Sequence, residues 1–466
     1  MKKKGERSKG KTRIRGIGIT KDTLTSRGGL NLFVRYLENI GIMAVILRMF
    51  GGIRRSGKGA SIEELFKQVL CNFVDGTSRH LVQYDKVQED KGYALAIESK
   101  PEALVSSHSI KRFFKGFSVV RIWLFRKLLQ RLFIWRLSIT KPDLIELYID
   151  TMVMDNDEAE VRYGVEPTYK KVEGFQPLQI TWGRYVVDAV FRGGSKHSNH
   201  KDTVEKMIRH IVEKIRTKYR EDIPIIIKMD SGFFDQKVFK ECEELGIGYV
   251  VSGKLYDDIK EYVKVMDGTE WKQYHNKEQK WDYVELMDKR GNWTKTRRAI
   301  YCRPWYENSQ ILFEFARPDT ILYTNLGMGE TIDKLLANVG RYDMVKSEKV
   351  IECAHGRGRD ELVHRALKDF GHEELPFKRF IPNMAYYYTM VLAFFLFESF
   401  KEDVCSALIP VTAYATTVRR KIIDIAAKIV KKSGKLILKV TLATWNSLKF
   451  NVLWEKSGSP PKFVEA

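Results

Sequence analysis

The stretch IIIKMDSGFF, residues 225–234, does most to limit what this chain can fold into. Ile225, Ile226, Ile227 and Met229 make a short apolar run rich in β-branched residues, the composition of a buried strand. Asp230 follows at once and Ser231-Gly232 breaks the run, after which Phe234, Val238, Phe239, Cys242 and Leu245 recur at amphipathic helical spacing. An acid at the carboxyl end of a core strand, before a turn into a helix, faces the crevice where α/β sheets hold their ligands. An acid that only caps the next helix would be written the same way.

A second apolar run, DLIELYIDTMVM at 143–154, carries Asp150 in its middle. A carboxylate there is costly to bury unless it is paired or bound to a metal. Two such strands, 80 positions apart between their acids, predict two carboxylates meeting on neighbouring strands of one sheet. Magnesium prefers carboxylate and water oxygens, and two such ions about 3.5–4 Å apart are the usual arrangement for phosphodiester chemistry.

Residues 355–383 read HGRGRDELVHRALKDFGHEELPFKRFIPN, in which Arg357, Glu361 and Lys368 stand at R-x3-E-x6-K spacing. On a helix, seven residues are about two turns, so Glu361 and Lys368 share a face and Arg357 lies one turn upstream on it. The carboxylate can complete a metal site while the two cations reach phosphates along the same groove. A surface helix carrying i,i+4 ion pairs shows similar spacing. Neighbouring helical residues are about 100° apart, so Asp360 cannot point where Glu361 points. Asp155 and Asp157 compete for the role given to Asp150, and Glu352 and Asp360 compete for that of Glu361.

These residues resemble the Y-R-E-K signature of the DDE transposases of bacterial insertion sequences, most closely the insertion sequence 1380 group. The similarity continues through LPFKRFIPNMA and covers residues from about 145 to 400, with one departure, Ala354 where a Tyr is expected three positions before Arg357. The resemblance implies an α/β fold, an RNase-H-like mixed sheet with a β-rich insertion, preceded by an all-helical N-terminal domain. It implies a catalytic, metal-holding triad of Asp150, Asp230 and Glu361, two Mg2+ ions for which Mn2+ could substitute, and phosphate contacts from Arg357 and Lys368. It further implies cleavage and strand transfer on double-stranded DNA, at transposon terminal inverted repeats and in a target, by a homodimer on DNA. The alternatives are a DNA-binding protein of the same fold that no longer transposes, against which the presence of all three acids argues, and a metal-dependent nuclease without strand transfer, which would share the chemistry.

Composition agrees with a polyanionic partner. Lys and Arg outnumber Asp and Glu by 80 to 59, a formal charge of +21, while 44% hydrophobic residues support real cores. The five cysteines form no C-x-x-C pair, which speaks against a disulfide framework and a zinc site and fits a reducing cytoplasm; the resemblance implies a bacterial one, with the protein on the nucleoid. No secretory signal is expected, since no apolar stretch follows the charged start. Met384 to Phe397, the longest apolar stretch, holds 14 residues and reads as a core helix, not a membrane span. His197 and His200 sit in a glycine-rich stretch that reads as a turn.

The expected organisation runs as a basic flexible arm (1–28), a helical DNA-binding domain (29–138), the first part of the catalytic domain (139–253), a β-rich insertion (254–345), the second part of the catalytic domain (346–402) and a basic C-terminal segment (403–466). In the helical part, Ser61 and Glu64 suggest a capping box. Trp271, Trp281, Trp293 and Trp305 lie among nine basic residues in the insertion, either packing its core or stacking bases. Residues 418–440, with eight basic residues and apolar Ile422, Ile423, Ile425, Ile429 and Val430, predict a basic amphipathic helix along DNA or against the core.

Overall fold

Five strands form the centre of the molecule: β1 (Ile145–Thr151), β2 (Leu178–Trp182), β3 (Tyr185–Val190), β4 (Ile225–Met229) and β5 (Gly248–Ser252). The computed structural model describes residues 14, 16–53, 59–158, 162–196, 203–275, 279–291, 293–307, 310–311, 319–355 and 357–464, without the side chains of 279, 305–307, 310–311 and 357–361. His197, His200 and residues 1–13 of the basic arm lie outside the described residues. Along the sheet the order is β3-β2-β1-β4-β5, with β1, β4 and β5 parallel and β2 antiparallel to both of its neighbours, β1 and β3. This is the RNase-H-like arrangement. The antiparallel part needs only a short connection, and Gly183, at φ +55°, supplies the left-handed residue of the β2–β3 turn. The parallel part needs crossovers, supplied by helices Thr203–Lys218 before β4 and Gln236–Glu244 before β5.

The insertion continues this same sheet. β6 (Lys272–His275), β7 (Gln279–Asp288), β8 (Arg297–Glu307) and β9 (Thr320–Thr324) extend it in the order β6-β7-β8-β9-β5, with β9 antiparallel to β5. Trp281 and Trp293 are buried there and Trp271 is half-buried with the Arg303 guanidinium 4.8 Å from its ring centre, so these three pack the insertion.

Helices Leu30–Ile40, Ile42–Phe50, Ile62–Asp75, Ser107–Lys115 and Val119–Thr140 are the longer helices of the N-terminal region and bury apolar faces in the main core. Ser61 accepts a bond from the Glu64 N–H, the forward half of a capping box, while the Glu64 carboxylate accepts from Gln68 and Ser99 instead of reaching back. The long helix Val119–Thr140 is fastened to the sheet by Arg126, which binds the fully buried Asp188 of β3 through two bonds of 2.8 and 2.7 Å. Arg121 bonds backbone carbonyls of Ile53, Gly52 and Gly116. Both of these arginines are therefore structural.

Helix Phe380–Phe400 lies in the core, with Tyr387, Leu392, Phe395 and Phe397 fully buried. Together with the π-helical turn Lys401–Cys405 it is long and apolar enough to cross a membrane, more than the 14-residue apolar stretch suggests, yet 83% of its most apolar window is buried inside the protein. Fully burying each such side chain contributes roughly 1.5–3 kcal/mol.

Residues 418–440 correct the sequence reading. Instead of one amphipathic helix they form a π-helical turn, Arg419–Ile423, and a hairpin of strands Ala427–Lys432 and Lys435–Val440. Ser433 and Gly434 between them have φ of 49° and 77°, the pair of left-handed residues that a two-residue primed turn requires. Strand Thr23–Thr25 pairs with Ala427–Lys432 on the other side to complete a small three-stranded sheet.

Candidate active site

The register of β1 against β4 decides where the two aspartates fall. Ile149 is opposite Met229, so the next residues, Asp150 and Asp230, follow at one level at the carboxyl ends of neighbouring parallel strands. Ile145, Leu147 and Ile149 are fully buried on one face of β1, and by alternation Glu146, Tyr148 and Asp150 share the other. Two bonds orient the Asp150 carboxylate: the Tyr148 hydroxyl donates to Oδ2 at 2.9 Å and the Thr151 N–H to Oδ1 at 2.7 Å. Asp230 Oδ1 accepts from the Gly232 N–H at 2.9 Å, closing a short 3-10 turn, Ser231–Phe233. Asp230 therefore does cap a turn, and it does so at the strand end next to Asp150.

Helix Arg357–Gly371 carries the other predicted residues. The Arg357 and Glu361 side chains lie outside the described residues, but the helix itself approaches β1 and is tied to the segment after it. His364, one turn beyond Glu361, places Nδ1 3.8 Å from Asp150 Oδ2. Lys368, one turn further, pairs with Glu373 at 2.6 Å, and Glu373 accepts from the Asp155 N–H at 3.3 Å. Asn156 donates to the Glu373 carbonyl and accepts from the Leu375 N–H at 2.9 Å. Lys368 thus answers an acid of its own segment. Residues three apart on a helix lie on one face, so Glu361 starts from the face that His364 turns toward Asp150.

The insertion braces both halves. Trp293 packs edge-on against Phe239 and tilted against Phe234, just beyond Asp230. Trp281 stacks on His355 with ring centres 3.9 Å apart, at the end of helix Ser347–His355, directly before the Glu361 helix.

The competing acids are held in other ways. Asp155 Oδ1 accepts from the Asp157 N–H and Asp157 from the Glu173 N–H; both are exposed, Asp155 at the end of the short strand Met154–Asp155 and Asp157 in the turn after it. Glu352 pairs with Lys349 at 2.8 Å. Asp155, Asp157, Glu158, Glu373 and Glu374 share with Arg79, Lys368 and His372 a cavity of about 470 Å³ beside the aspartates' segment. Burial, with Arg419 and Arg79 nearby, holds the His372 imidazole below its usual value. Tyr148 and His364 were not singled out in the sequence. Their signals are spacing alone: Tyr148 alternates with Asp150 in the strand, and His364 follows Glu361 by one helical turn.

Oxygen donors from two carboxylates at one level suit a hard divalent cation. Among the described residues no three His, Cys, Asp or Glu side chains gather into a metal-binding group. Glu361 is outside that set.

An RNase-H-like sheet with acids at the ends of its central strands defines a class of nucleic-acid phosphodiester enzymes. A family model described as Transposase DDE domain group 1 matches residues 10–451, and the chain belongs to that family of DDE transposases. No curated protein matches the sequence. Among solved structures the chain is similar to a cryo-EM structure of the piggyBac transposase synaptic complex with hairpin DNA, at 12% identity and a TM-score of 0.39, over 87% of this chain and 83% of that one.

Proposed function

We propose that this protein is a DNA transposase of the insertion sequence 1380 type, which binds transposon ends and carries out metal-dependent cleavage and strand transfer with Asp150, Asp230 and Glu361. The observation that carries this reading is the register that sets Asp150 level with Asp230 on adjacent parallel strands. The approach of His364, one helical turn after Glu361, to within 3.8 Å of Asp150 supports the third member. Asp150, Asp230 and Glu361 would hold two magnesium ions, which when bound activate a water or a terminal 3′-hydroxyl and stabilise the leaving oxygen of an in-line displacement. The Tyr148 hydroxyl and the Thr151 N–H orient the Asp150 carboxylate, and the turn at Gly232 orients that of Asp230. Arg357 and Lys368 would steady phosphates of the bound DNA, Lys368 by exchanging Glu373 for a phosphate. Alignment of two transposon ends calls for a homodimer on DNA.

The test is incubation of the purified protein with its flanking DNA and magnesium, followed by mapping of the ends and of joined products. Cuts at the element boundary and joined target DNA are expected. Cuts without joining would leave a nuclease. Unchanged DNA would sink the reading.

A further inference from the structure

We propose that the C-terminal hairpin, Ala427–Lys432 and Lys435–Val440, is a clamp for the phosphate backbone of double-stranded DNA, with Lys432, Lys435 and Lys439 as its contacts. This rests on the transposase reading and adds a surface to it.

The register sorts the hairpin into two faces. Ala427 lies opposite Val440 and Ile429 opposite Leu438, and this face packs inward, with Ala427 and Ile429 buried. On the other face Lys428 lies opposite Lys439, Val430 opposite Ile437 and Lys432 opposite Lys435. Like charges directly opposite each other across an antiparallel pair destabilise it. Lys428 is relieved by Asp22, 2.8 Å away. Lys432, Lys435 and Lys439 are exposed and, among the described residues, have no ion-pair partner. A polyanion laid across this face would relieve the repulsion.

Lysines also protect a free edge strand from pairing with other chains, and Lys435–Val440 is such an edge. Thr23–Thr25 reaches only as far as Ile429, so Lys432 too stands beyond the paired part of its strand, but edge protection does not call for setting it directly opposite Lys435. The ribbon is held firmly for a contact surface: its inner strand pairs with Thr23–Thr25, and the Gly28 N–H donates to the Ile425 carbonyl at 2.8 Å. A two-stranded ribbon fits a DNA groove. Lysines carry point charge without a planar fork, so they position phosphates and do not read bases.

The experiment measures the affinity of the full-length protein for a random-sequence duplex across a potassium chloride titration. Each phosphate contact contributes about 0.9 to the slope of log K against log salt. Replacing Lys432, Lys435 and Lys439 together with Ala should lower the slope's magnitude by about 2 to 3, and the triple Arg variant should restore it. Equal slopes for the Ala triple and the wild type would overturn the proposal. So would a loss of binding to phosphatidylserine vesicles with no change on DNA, which would assign the face to a membrane. If the wild type itself binds no duplex, the transposase reading fails first and the clamp with it. Should the Ala triple not fold, acylation of lysines in the wild type gives the answer. Duplex should protect Lys432, Lys435 and Lys439 relative to the exposed Lys254, and equal labelling would overturn the clamp.

Discussion

The ends of β1 and β4 and the C-terminal hairpin are both β-structure, and different forces hold them. The central strands are buried, and their acids are kept by bonds from Tyr148, Thr151 and Gly232. The hairpin has one face in water, carries lysines opposite lysines, and owes its shape to a two-residue turn. A buried centre can position charge to within a bond length, which chemistry requires. An exposed ribbon can only present charge, which suffices for gripping a polyanion. On the proposed reading, one chain divides precision and grip between two sheets.

The sharpest break would come from the centre. Asp150→Ala or Asp230→Ala should reduce DNA cleavage by about 10³-fold, the scale of removing one group that stabilises the transition state, with the salt slope of binding unchanged. A gel assay of end cleavage beside a binding titration reads both. If Asp155→Ala abolishes cleavage and Asp150→Ala does not, the site lies in the acidic cavity instead.

Stability should separate the regions next. Arg126→Ala leaves Asp188 buried without its partner and should cost about 3 kcal/mol. Lys435→Ala on the ribbon should change stability by less than about 0.5 kcal/mol. Denaturant unfolding of both variants checks the contrast, and similar losses would mean that the ribbon is as structural as the core.

A smaller effect is expected at His364. Its Ala variant should raise the magnesium needed for half-maximal cleavage about 10-fold, as loss of a residue that orients a metal ligand does. An unchanged magnesium dependence would make it a packing residue only. A modest effect also belongs to Gly434→Ala, which meets no neighbour but forces a Cβ onto φ +77° and should cost about 1 kcal/mol, seen as a lower thermal midpoint.

The sequence was legible where one force dominated. Ile225 to Ile227 have too many consecutive apolar side chains for an exposed element, so a buried strand follows, and an acid just after it falls at the sheet's end. The chain order of strands and crossover helices could be followed for the same reason. Residues 418–440 were ambiguous because Ile422, Ile425 and Ile429 satisfy helical spacing, while Lys428, Val430 and Lys432 alternate as in a strand. Ser433-Gly434 held the deciding signal, a two-residue turn between two runs of six. The role of Arg126 was hidden because its partner, Asp188, is far away in sequence and reads as one more strand residue. Tyr148 and His364 escaped for a related reason: their importance depends on a strand and a helix meeting, which no local pattern states.

The most direct test of the central claim replaces magnesium with Fe2+ and adds ascorbate and peroxide, so that radicals formed at the bound ion cut the nearby backbone. The account predicts fragments from cuts close to residues 150, 230 and 361, all suppressed by excess magnesium. Cuts confined to the neighbourhood of Asp155, Asp157, Glu373 and Glu374 would place the ion in the acidic cavity and contradict it.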